Sequence, residues 1–142
     1  MFRVKTYVCI GPNPKNPQEW PNTMSFFAHL SALRLLPHEN SFAYDALRDT
    51  FQVRDVTLGA PFEGEQDQRV IAAAQFIFWD GLETFKQIRA GETGDDELSL
   101  KGWYFYLKAF KEVEESDLGE ECKQVAKKAA NLMASIEESL TF

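Results

Sequence analysis

From Asn22 onward, apolar residues return every three or four positions, and short runs of Gly, Pro and acidic residues interrupt the pattern. That period belongs to amphipathic helices, each burying one stripe. It predicts five, near 23–36, 40–52, 67–90, 99–116 and 118–140. In the first, Phe26, Phe27, Leu30, Leu33 and Leu36 share a broad face, with Asn22 or Thr23 as cap and Pro37 as stop. Phe42, Ala46, Leu47 and Phe51 form the apolar side of the second.

The third helix is the most apolar and the most informative. Ile71, Ala74, Phe78, Gly81, Phe85 and Ile88 keep one phase on both sides of Gly81. The helix is therefore expected to run through the Asp80-Gly81 step, from a cap at Asp67 to a stop at Gly91. Ser99 is the expected cap of the fourth helix, which carries Trp103, Tyr104, Phe105, Tyr106 and Phe110. Cys122, Val125, Ala126, Ala129, Met133, Ile136 and Leu140 line the fifth, with its Glu and Lys mostly elsewhere. A compact all-α bundle follows, forming a single domain over 22–142.

Residues 1–21 break the pattern. RVKTYVCI is β-prone, and GPNPKNPQEWP has four Pro, which forbids most regular pairing. This stretch is expected to be an irregular or strand-like arm. Its apolar Val4, Tyr7, Val8, Ile10 and Trp20 are expected to pack against the helices or a second copy.

Composition then narrows the partners. A chain of 142 residues supports one core, and a net charge of −7 without a basic cluster disfavours nucleic acid and anionic membranes. No segment reaches the roughly 18 apolar residues of a membrane helix. Cys9 and Cys122 match no metal-ligand spacing, so a cytoplasmic protein with free thiols is expected. Twelve Phe can fill a wide core or line an apolar pocket.

Three stretches carry a resemblance. Asn22, Phe26, Ala28 and Leu30 give N-x-x-x-F-x-A-x-L, and Leu47-Arg48-Asp49 gives L-R-D, ending at Phe51. Ala73, Ala74, Ile77, Trp79 and Gly81 give A-A-x-x-I-x-W-x-G; Trp103, Tyr106, Ala129 and Met133 give W-x-x-Y…A-x-x-x-M. The order resembles a group of small fungal proteins classed as a domain of unknown function. The resemblance implies an all-helical fold and a fungal source, and no reaction. It also implies further helices ahead of Asn22, where this chain has its arm.

No phosphate loop, dinucleotide fingerprint, zinc-protease helix, EF-hand or nucleophile elbow occurs. GETGDDE lacks the alternating ligands of a calcium loop and reads as a surface linker. Two histidines without a carboxylate partner disfavour a metal site, and no cofactor is expected. The candidate catalytic groups are Asp80, His29, Asp45 and Arg48. Asp80, in the most apolar helix, needs a partner or a cavity. Arg48 is the first expected partner and Tyr104 or Tyr106 the next. His29 is either a general base or, more commonly, a boundary histidine bonded to backbone. Trp79, Trp103, Tyr104 and Tyr106 are candidate walls of a ligand pocket, against the commoner role of aromatic core.

Two functions fit. One is a helical binding module, self-associating or taking another protein through aromatic-rich surfaces. The other is a small cofactor-free cyclase or isomerase, acting on an apolar small molecule such as a fungal secondary metabolite. A large aromatic pocket around a buried carboxylate favours the enzyme; a filled core with an exposed apolar face favours the module.

Overall fold

A computed structural model describes residues 11–35, 41–52, 62–91 and 98–140. Among them lie α1 (Glu19–Ala32), α2 (Ser41–Phe51), α3 (Glu65–Arg89), α4 (Leu100–Val113) and α5 (Glu120–Ser139), with no strand. The fold is an all-α bundle. The β-prone stretch 3–10 lies outside the described residues.

α3 sits in the middle, with two buried sides. One side carries Ala72 and Phe76, which pack with Met24 and Ala28 of α1 and Ala43 of α2. The other carries Val70, Ala73, Ile77, Phe85 and Ile88, packed with α4 and α5 around Trp103, Phe110 and Met133. Ser31 bonds Asp80 and Arg34 bonds Glu83, both across 49 residues of sequence, so α1 and α3 run parallel.

Gly81 lies within an unbroken α3, as the stripe predicts. A Cβ built there would stand 3.3 Å from Ile136 Cδ1 and 3.6 Å from Ile77 Cγ2. The missing side chain thus admits α5, and no ligand is needed to explain it. Gly81→Leu should cost about 1–3 kcal/mol by overpacking. Urea melts would read this, and a variant as stable as the parent would mean that α5 can step aside.

The helix ends differ from expectation in instructive ways. α1 begins at Glu19 rather than near Thr23, with Pro21 inside it. Pro is tolerated there because the first-turn N–H groups have no intrahelical acceptor anyway. The chain ahead is tied down by a reciprocal pair: Asn13 N–H donates to Gln68 Oε1 (2.9 Å), and Gln68 Nε2 donates to the Asn13 carbonyl (2.8 Å). Asp67 caps no residue of α3, whose N-cap is Gly64. Its carboxylate instead accepts from Gly119 N–H at 2.8 Å, where α5 begins. Ser99 behaves as expected, accepting from Gly102 N–H at 3.1 Å.

α1 also stops at Ala32, well before Pro37. Leu35 N–H bonds the Leu30 carbonyl (2.9 Å) and Arg34 N–H the Ser31 carbonyl (3.0 Å). These two bonds make a Schellman ending, which requires a left-handed residue just past the cap. At the end of α3 that residue is Gly91 (φ 72°). At the end of α1 it is Arg34 (φ 61°). An L-residue in that conformation costs about 1 kcal/mol that glycine avoids.

Candidate functional site

Asp80 points from α3 into its seam with α1 and is only 4% exposed. Ser31 Oγ donates to Asp80 Oδ2 at 2.7 Å, and Thr84 Oγ1 approaches the same oxygen at 3.5 Å. Burial pushes the carboxyl above the ordinary range. The Ser31 bond, the charge of Arg34 and the Thr84 hydroxyl pull it back, while Glu83 adds to the rise. The partners of Asp80 are therefore hydroxyls, one from each helix. The arrangement sets the register of α1 on α3.

Arg48 is not a partner of Asp80. It lies on α2 with Asp45 and Asp49, each at 3.4 Å, and its guanidinium stands 5.4 Å from the Tyr44 ring centroid. The physical reason is that Asp80 faces α1, while α2 buries Ala43 and Leu47 and leaves its charged seam outside. Tyr104 and Tyr106 are not partners either. Tyr104 is exposed, and a hydrogen bond to Glu137 raises its pKa. Tyr106 donates to Gln52 Oε1, and burial pushes its hydroxyl up to about 12.

Trp103, a candidate pocket wall, is fully buried against Phe85, with ring centroids 4.8 Å apart. Its Nε1 is the buried side-chain polar atom without a hydrogen-bond partner among the described residues. Tyr106 lines an open cleft of about 250 Å³ with Tyr44, Gln52, Lys101 and Phe105. Neither Asp80 nor His29 reaches it. Cys122 is buried, with its thiol pushed up to about 12 by that burial, which makes it a poor nucleophile. Among the described residues no cluster of His, Cys, Asp and Glu is placed to hold a metal ion.

The remaining candidates, His29 and Trp79, do meet. Their rings lie 3.9 Å apart at 36°, and His29 Nδ1 is 2.7 Å from the Ser25 carbonyl, so it donates there. Trp79 is 51% exposed. Phe26 (59%) and Leu33 (66%) flank His29 at three and four residues along α1, and exposed Leu82 follows Trp79 on α3. One end of this apolar face is closed by ions: Glu83 accepts from Arg34 (3.1 Å) and from Lys86 (3.3 Å).

Sequence reasoning singled out Trp79 and His29 but not their pairing, and it missed Ser31, Thr84 and Arg34 as a group. A signal for Ser31 existed. Met24, Ala28 and Ser31 form the buried stripe of α1, and a hydroxyl in such a stripe asks for a buried partner. Nothing in the residue pattern marked Arg34 as left-handed.

No family model, no curated protein and no solved structure matches this chain. No helix among the described residues is long and apolar enough to cross a membrane.

Proposed function

We propose that this protein is a helical binding module whose working surface is the α1/α3 face centred on the His29–Trp79 stack. The observation that carries the reading is the half-exposed Trp79. Among the described residues it is the largest of the exposed apolar side chains, and exposed Phe26, Leu33 and Leu82 lie on the same two helices. Trp in such a setting is a common anchor of protein interfaces. The enzyme reading has less support, because Asp80 and His29 lie on one side of α3 while Tyr106 and the cleft lie elsewhere.

The occupant we assign is an amphipathic helix of another protein, laying an apolar stripe along Phe26, Leu33, Trp79 and Leu82. A second copy is the other occupant that an isologous contact allows, and a parent that sediments as a dimer while Trp79→Ala sediments as a monomer would assign the face to it.

A labelled synthetic helix with a leucine stripe and glutamate flanks serves as probe. Trp79→Ala and Leu82→Ser should each weaken its binding by about tenfold or more. Their melting temperatures should change little, because both side chains are largely outside the core. Unchanged affinity in both variants would remove this face from the reading.

A further inference from the structure

Away from the α1/α3 face, α2 and α4 enclose the open cleft of about 250 Å³. Tyr44 and, two turns on, Gln52 come to it from α2 and its C-terminal end. Ser99, Lys101 and Phe105 come from the start of α4, where Phe105 packs edge-on against buried Tyr106 (centroids 5.1 Å apart, 82°). The unused polar groups of the cleft are donors. Tyr106 donates to Gln52 Oε1, so the Gln52 amide keeps both N–H groups of Nε2 without a partner among the described residues. Ser99 Oγ accepts from Gly102 N–H, which leaves its own hydroxyl proton. The Tyr44 hydroxyl and Lys101 Nζ also have no partner among the described residues. No carboxylate lines the cleft among those residues, although the chain holds 22 Asp and Glu. The acidic pair of α2, Asp45 and Asp49, is taken up by Arg48 at 3.4 Å each.

We propose that this cleft binds a small aromatic carboxylate, with its ring between Tyr44 and Phe105 and its charge at Lys101 and Gln52. The volume sets the size. Sites for drug-sized ligands run to about 300–1,000 Å³, so this one suits a single ring with a short substituent. The donors set the charge. A carboxylate accepts from several N–H and O–H groups at once, whereas a ligand ammonium would meet only donors and the like charge of Lys101. The inference is independent of the docking reading, because no residue of α1 or α3 lines the cleft.

Benzoate, benzamide and acetate separate the contributions, since the second lacks the charge and the third lacks the ring. Titration followed by backbone amide NMR reads both affinity and place. Benzoate should bind with a Kd of about 10 mM or tighter, as suits so few atoms, and shift the amides of Gln52, Ser99 and Lys101. Benzamide and acetate should each bind about fivefold or more weakly, and the preference over benzamide should shrink as salt rises. Lys101→Met keeps the apolar stem and should bring benzoate and benzamide within about twofold. Lys101 is exposed, so this variant should melt with the parent. Phe105→Ala should weaken benzoate by about threefold or more. Benzamide binding as tightly as benzoate, a full charge preference in Lys101→Met, or no benzoate binding at several times that concentration would each overturn the proposal. Trp79→Ala should leave benzoate affinity unchanged, so the cleft and the α1/α3 face stand or fail separately. Loss of benzoate in Trp79→Ala, with shifts centred on that face, would place the ligand there and overturn the cleft.

Discussion

Trp103→Ala should lower the free energy of unfolding by about 3–5 kcal/mol. Domains commonly hold about 5–15 kcal/mol in all, so much of the margin would go. The reasons are local. The indole is fully buried between α3 and α5, against Phe85, and lies 4.0 Å from where a Gly81 Cβ would stand. Emptying that volume leaves a cavity between three helices, and the neighbouring backbone cannot collapse far enough to fill it. Trp103→Phe should be much milder. It loses part of the packing but also removes an N–H buried without a partner, whose desolvation costs about 1–3 kcal/mol. The two changes partly cancel, and a net loss below about 2 kcal/mol is expected. Urea titration of both variants checks this. A phenylalanine variant as unstable as the alanine one would mean that the indole N–H is satisfied in solution.

The helical plan was legible because each stripe is long and keeps its phase. The 71–88 run carried the reading through Gly81, and α3 indeed runs unbroken from Glu65 to Arg89. Ser99 and Gly91 were readable for the same kind of reason, since each lies at the edge of a periodic segment. What could not be read was direction in space. Asp80 needs a partner by its place in the most apolar helix, but whether α1 or α2 faces it depends on which side of α3 each helix takes. A single chain of residues does not encode that in its local period. Asp67 shows the same limit. It stands where a cap is expected and does bond a helix start, but the helix is α5, 52 residues further on. Arg34 illustrates a different one: ordinary turn chemistry places glycine at that position, so a residue that breaks the rule leaves no trace in the pattern.

The Asp80–Ser31 pair carries the other large effect, and its two halves should respond with opposite signs. Burial raises the Asp80 pKa in the folded protein above that of the unfolded chain. Below the unfolded value both states hold the proton, and the group's contribution to stability is fully present. As pH rises through the folded value that contribution is lost, because the buried site must then accommodate a charge. Asp80→Asn keeps the shape and an oxygen for the Ser31 hydroxyl, but does not ionise. It should therefore melt near the parent at acid pH and above it once the parent's carboxyl has ionised. Ser31→Ala removes the 2.7 Å donor and leaves the charge in place. It should cost about 1.5–3 kcal/mol at neutral pH, the usual range for a hydrogen bond to an ionised group. That loss should shrink in acid, where the carboxyl is neutral. Thermal melts of the three proteins across the carboxylate range read all of this at once. A gap between Asp80→Asn and the parent that does not change with pH would mean that Asp80 titrates alike folded and unfolded. An Asp80→Asn that melts below the parent at neutral pH would mean that the charge of Arg34 outweighs burial, and that the ionised carboxylate itself holds α1 on α3.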